Sequence, residues 1–161
     1  MTSKTLNSDI SQITNALQRW CSAISALRNL GVVRSQKVLS DFSEWLIAEI
    51  YGGERPRSRA HPGYDVLVGS EKIQVKAHAK SEDNPNRWST IKDPEKFDTL
   101  ALLILSPTYK IQEFYRISSK ELRSYLKPDK QGYRLNWDDI ASWRIDKDEI
   151  PNYQRLAPLF V

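Results

Sequence analysis

Gly63-Tyr-Asp-Val-Leu-Val-Gly-Ser-Glu-Lys-Ile-Gln-Val-Lys-Ala-His78 reads as two short β-strands joined at Gly69-Ser70, with glycine at the first loop position as a type II′ turn prefers. In that register Val68 pairs with Glu71, and counting back places Asp65 opposite Gln74. Directly opposed residues share a face and side chains alternate along a strand, so Lys76, and His78 two residues on, join Asp65 and Gln74. Tyr64, Val66, Ile73 and Val75 fall on the other face, the expected core side. A slip of one residue would part Asp65 from Gln74 and Lys76 and scatter the apolar set. A carboxylate, an amide and an ammonium beside an apolar layer outline a hard-cation site with a lysine placed for catalysis. The plain alternative is an exposed Asp65–Lys76 ion pair across the strands, worth under about 1 kcal/mol.

Upstream, Leu6, Ile10, Ile13, Leu17, Trp20, Ile24 and Leu27 alternate in steps of four and three, an apolar heptad stripe over a long first helix ending at Gly31. Such a stripe packs on its own domain or, alternatively, serves as a dimer arm or partner-binding helix. A second helix is expected from Ser35 to Tyr51, closed by Gly52-Gly53. Leu39, Phe42, Leu46 and Ile50 form its stripe, and Trp45, Ile47 and Ala48 extend apolar character around it. Glu44 and Glu49 lie inside this stretch, where a carboxylate needs a cation, a metal or a hydrogen-bond donor. Periodicity sets the two nearly opposite each other and does not choose between them.

Residues 55–62, basic and bounded by prolines, and the polar segment from Lys80 to Lys96 read as loops on either side of the hairpin. Leu100-Ala-Leu-Leu-Ile-Leu105 is a continuous apolar run of strand length, expected to be covered on both faces. An imperfect strand pattern follows from Tyr109 to Ile117. Ser118 with Glu121 marks a short helix to about Tyr125. Tyr133 to Trp137 reads as a further strand, and Trp137, Ile140 and Trp143 recur at helical spacing. From Asp146 onward little periodicity remains.

The 161 residues, 24 Lys+Arg against 20 Asp+Glu, describe an ordinary globular domain whose basic balance is compatible with a polyanionic partner. Cys21 is the single cysteine, which excludes an intrachain disulfide or zinc cage, fits a reducing cytoplasm, and is read as a small buried residue. No run approaches the length of a membrane span, so a cytoplasmic protein with no membrane partner is expected. The order of elements gives an α/β fold with a mixed central β-sheet flanked by helices and a long N-terminal helix. One domain over residues 1–161 is expected, divided into the helix at 1–31, a core at 35–117 and a C-terminal part at 118–161.

An acidic residue on a helix, then Gly63-Tyr-Asp-Val66, then Ile73-Gln-Val-Lys76 resembles the PD-(D/E)XK superfamily of nucleases, also called restriction-endonuclease-like. The resemblance covers about residues 35–117, and Phe42 to Gly53 looks like the glutamate helix of small members. It implies a restriction-endonuclease-like core, Asp65 as the first-strand aspartate, Gln74 and Lys76 as the half-motif, and Glu44 rather than Glu49 as the helix glutamate. Tyr64 stands where the family usually has proline. Gln74 stands where it more often has Glu or Asp, a change that lowers the negative charge of the site and weakens its hold on a divalent ion.

The resemblance implies a Mg²⁺- or Mn²⁺-dependent endonuclease acting on nucleic acid, with DNA as the expected substrate. Asp65, Glu44, the Gln74 side-chain oxygen and the Val75 carbonyl are the candidate metal ligands, and Lys76 would serve the attacking water or the charge developing on phosphate. Arg55, Arg57, Arg59, Lys80, Arg87 and Lys92 are candidate phosphate contacts, with His78 beside them and Trp88 available to stack on a base. Cutting both strands calls for two symmetric sites, hence a homodimer through the first helix. The rivals are a nucleic-acid-binding module of the same fold that does not cut, and an interaction domain that recruits a protein through the first helix.

Overall fold

In the computed structural model of the chain, which describes residues 3–58 and 63–161, with side chains from residue 10, the hairpin forms in the expected register. β1 (Val66–Val68) and β2 (Glu71–Ala79) pair antiparallel, Val68 opposite Glu71 and Val66 opposite Ile73. Gly69 takes φ 60° at the turn and Ser70 does not take positive φ, the combination a type II′ turn requires and a Cβ at the first corner would strain.

β2 continues into a mixed sheet. It pairs parallel with β4 (Thr99–Leu105), which pairs antiparallel with β5 (Ile111–Ser118), giving the order β1-β2-β4-β5. Every residue of β4 is buried, as its unbroken apolar run implies for a strand covered on both faces. One face, with Ile73, Val75, Ala101 and Leu103, packs on α2 (Val38–Tyr51) through Phe42, Leu46, Ile47 and Ile50. The other face, with Leu100, Leu102, Ile104 and Ile117, lies under a second layer. In that layer β3 (Trp88–Ile91) pairs with β7 (Gly132–Asn136), and β7 with β6 (Lys127–Asp129). The 3-10 segment Trp137–Trp143 adds Trp137 and Ile140 to the same cluster. The chain is thus a mixed α/β fold, a mixed sheet flanked by helices with a long N-terminal helix, as the sequence pattern indicates.

The first helix, α1 (Ser3–Asn29), has two ends in different surroundings. Ile24 and Leu27 pack on the core beside α2, whereas Ile10, Ile13, Leu17 and Trp20 are all more than half exposed. No described helix is long and apolar enough to cross a membrane.

Several expectations are corrected. α2 begins at Val38 rather than Ser35, because the Asp41 carboxylate takes the backbone N–H groups of Arg34 and Ser35 at 2.8 and 2.7 Å and holds that segment in a turn. Residues 80–96 are not all loop. β3 lies among them, its core face occupied by Ser89 and Ile91, and a serine on that face hides the alternation. β6, which begins at Lys127 and contains Pro128, likewise carries no apolar pattern. Tyr64 packs against the second cluster rather than with Ile73 and Val75, since it precedes the strand and escapes its alternation. Cys21 is exposed, on the part of α1 that stands clear of the core. The C-terminal tail forms short helical turns, including α4 (Tyr153–Leu156), and Ile150 and Leu156 close the α2-side core.

Candidate functional site

The second layer covers β4 and β5 but leaves the outer face of β2 half open, so Gln74, Lys76 and His78 are partly exposed where the neighbouring Leu100, Leu102 and Ile104 are buried. A groove therefore runs along β2, floored by the polar residues of that strand.

At one end of the groove is a cavity of about 440 Å³ lined by Asp65, Gln74 and Lys76, with Lys37, Lys92 and Lys96 around them. Asp65 Oδ2 accepts the Gln74 side-chain N–H at 2.6 Å and the Val75 backbone N–H at 2.8 Å. Its own N–H reaches the Ile73 carbonyl at 2.8 Å, which extends the hairpin register by one pair and sets Asp65 against Gln74. Gly63 forms part of the rim. Its backbone stands at φ 103°, and a Cβ there would lie 2.4 Å from the Lys96 side chain, so the lead-in to β1 closes against the Pro94–Lys96 turn only with glycine.

The cavity is strongly cationic, Lys37, Lys76, Lys92 and Lys96 against Asp65 and Asp93. Burial lowers the pKa of the Lys76 ammonium, the Asp65 charge acts to raise it, and Lys92 adds to the lowering. Loss of hydration outweighs the neighbouring carboxylate. Such a lysine gives up a proton more readily than an exposed one.

Lys76 also lines a second cavity of about 290 Å³, together with His78, Lys80, Trp88 and Trp137. His78 Nε2 lies 2.7 Å from Ser89 Oγ, which accepts the Trp137 indole N–H at 2.8 Å, and the imidazole lies against the Trp137 ring at 4.9 Å between centroids. Burial, then the Lys76 charge, push the His78 pKa down.

The structure thus brings together Asp65, Gln74, Lys76 and Lys92 in one cavity, and His78, Lys80 and Trp88 in the adjoining one. The Val75 side chain faces α2, while its carbonyl lies 3.4 Å from the Gln74 amide nitrogen. Glu44 is not among the described residues lining either cavity, and its carboxylate lies 3.6 Å from the Arg34 guanidinium. Glu49 pairs with Arg155 at 2.5 Å. The Arg87 guanidinium is held by Glu113 at 3.1 Å and Asp138 at 2.8 Å and is not among the residues lining either cavity. Arg57 is exposed and outside both cavities, and Arg59 lies outside the described residues.

Sequence reasoning missed Lys37 and Lys96, which reach the site from the start of α2 and from the turn before β4. It also missed Ser89 and Trp137: Ser89 lies in a stretch read as loop, and Trp137 opens a 3-10 segment far along the chain whose approach to His78 no local pattern signals.

Among the described residues no three His, Cys, Asp or Glu side chains cluster. The donor set near Asp65 is one carboxylate, one amide and one carbonyl, all oxygen, the set for Mg²⁺ or Mn²⁺ rather than for zinc. It is sparse, which suits Mg²⁺, an ion that keeps several waters and uses one or two carboxylates together with substrate phosphate. The Gln74 amide must turn to offer its oxygen.

No protein-family model matches the chain, and no curated protein matches it. Among solved structures, a bacterial homing endonuclease, I-Ssp6803I, aligns at a TM-score of 0.40 and 19% identity, over 64% of this chain and 78% of that one. A likeness at that level identifies neither this chain's family nor its activity.

Proposed function

We propose that this protein is a divalent-metal-dependent nuclease of the PD-(D/E)XK type, hydrolysing phosphodiester bonds in nucleic acid, with DNA as the substrate. The observation that supports it is the lining of one cavity by Asp65, Gln74 and Lys76, ringed by Lys37, Lys92 and Lys96. Asp65, with the Gln74 oxygen and the Val75 carbonyl, would hold Mg²⁺ or Mn²⁺, and Glu44 would contribute only from outside the described cavity lining. The bound ion would supply neutralisation of the scissile phosphate and a more acidic water.

The remaining roles fall to the chain's own groups. Lys92, Lys96 and Lys37 draw the phosphate into the cavity and offset its charge. Lys76, as the neutral amine, accepts a hydrogen bond from the attacking water and takes up its proton as the oxygen bonds to phosphorus, becoming the ammonium; the bond to the leaving oxygen breaks, and that oxygen is protonated from solvent. A lysine whose pKa is lowered by burial is suited to this exchange. Two copies, joined through the exposed stripe Ile10, Ile13, Leu17 and Trp20, would present one site to each strand.

A second reading has support of its own. Gln74 donates to Asp65, a contact that competes with a cation for the same oxygen; on this reading the domain would bind nucleic acid without cutting it. Incubating the protein with plasmid and with short oligonucleotides in Mg²⁺ or Mn²⁺, beside D65N and K76M, separates the two. Cleavage by wild type that is lost in both variants supports the nuclease. Salt-sensitive binding with no cleavage supports the binding module.

A further inference from the structure

The second cavity has a composition of its own, distinct from the Asp65 end. Its wall includes Trp88, whose ring carries the Arg134 guanidinium 4.3 Å from its centroid. His78 is pinned to Ser89 and laid against Trp137. Asn84 and Asn86 border the opening, and among the described residues neither side-chain amide makes a hydrogen bond. Each therefore offers both a donor and an acceptor to a visitor. Lys76 and Lys80, four positions apart along the end of β2 and just beyond it, both line the cavity, their backbones roughly 13 Å apart along an extended chain.

Trp88 and the His78 imidazole, both partly exposed with the buried Trp137 behind them, together with unspent amides and flanking cations, form a receptor for a flat heteroaromatic ring bearing polar edges, attached to phosphates. We infer that this cavity receives a single unpaired nucleotide beside the phosphate held at Asp65 and Lys76. A base inside a duplex stays in its stack and cannot enter a pocket of this size. An unpaired or extruded base can, and stacking plus hydrogen bonds to its edges offset the cost of extrusion. The inference rests on the nucleic-acid reading of the site and deepens it: the substrate is a strand with an unpaired position, such as a gap, bulge or single-stranded segment, rather than intact duplex.

The test uses the full chain with fluorescently labelled DNA of one sequence in three forms, intact duplex, duplex with a one-nucleotide bulge, and single strand, in EDTA so that binding is read without cleavage. Wild type is expected to bind the bulged and single-stranded forms roughly tenfold or more tighter than the duplex, with quenching of tryptophan fluorescence. W88A is expected to weaken the unpaired forms by roughly ten- to hundredfold and the duplex by about twofold or less. N86A, at an exposed position, shifts them in the same direction by a few fold and decides the matter if W88A melts early.

Equal affinity for duplex and unpaired forms, or equal losses on both in the variants, overturns the inference. The nuclease reading fails separately. Selective, Trp88-dependent binding of unpaired DNA by a protein that never cuts in Mg²⁺ refutes the nuclease and keeps this site. Cleavage of intact duplex unaffected by W88A and N86A refutes this site and keeps the nuclease. Absence of any nucleic-acid binding overturns both.

Discussion

One carboxylate oxygen, Oδ2 of Asp65, takes both the Gln74 side-chain N–H and the Val75 backbone N–H, joining the lead-in of β1 to β2 at the mouth of the cavity. The residue therefore has a structural duty as well as a proposed catalytic one, and the two are separable. D65A removes the acceptor from a buried backbone N–H and an amide, and is expected to lower stability by about 1–2 kcal/mol. D65N keeps an acceptor oxygen for Val75 and is expected to unfold close to wild type in urea. Both are expected to abolish cleavage, so a D65N protein that still cuts DNA would remove Asp65 from the chemistry.

Lys76 is half-buried and ringed by further lysines, with hydration loss as the largest influence on its pKa, which it lowers. An ammonium in that position costs stability, which function explains and folding does not. K76M keeps the length and packing of the side chain while removing the desolvated charge. It is expected to raise stability by about 1 kcal/mol and to eliminate cleavage. Thermal melting with activity on the same preparation checks both halves, and a fall in stability would show Lys76 to be structural.

How far the site could be read from sequence follows from the reach of each signal. The Asp65–Gln74–Lys76 face was legible because strand alternation and a two-residue turn act over neighbouring positions, and β4 was legible because its run of aliphatic residues is unbroken. β3 was not, since its core face carries Ser89, and that serine is there to accept the Trp137 indole N–H from a segment 48 positions away. The same distance hid the second cavity, where β2, β3 and the Trp137 segment meet. Glu44 lay beyond the reach of periodicity for another reason: helical phase fixes a direction about the axis of α2, and the edge of the sheet to which that direction leads is settled only by tertiary packing.

His78 offers a pH test. Burial and Lys76 lower its pKa below the ordinary histidine value of 6.5. The unfolded chain therefore binds a proton near 6.5 that the folded chain refuses, and stability contributed by the neutral imidazole, full above that pH, is lost as pH falls toward the folded pKa. Urea denaturation at pH 7.5 and pH 5.5 is expected to show a drop in stability at the lower pH that is smaller in H78Q, whose amide does not titrate in that range. An identical drop in both proteins would assign the acid sensitivity to carboxylates elsewhere.

Gln74 decides how tightly a cation is held, because it is the neutral partner of the only carboxylate among the described residues of β1, β2 and their lead-in that faces the cavity alongside Lys76. In Q74E two carboxylates face each other across a contact of hydrogen-bond length, so without a divalent ion their repulsion lowers the melting temperature at neutral pH. Mg²⁺ or Mn²⁺ relieves that repulsion and, by binding the folded state alone, raises the melting temperature with concentration. The expected pattern is a variant less stable than wild type in EDTA, with a larger stabilisation by either ion and cleavage at lower metal concentration. Should the ions leave the melting temperature of Q74E unmoved, no cation sits between positions 65 and 74, and the groove would be read as a binding surface alone.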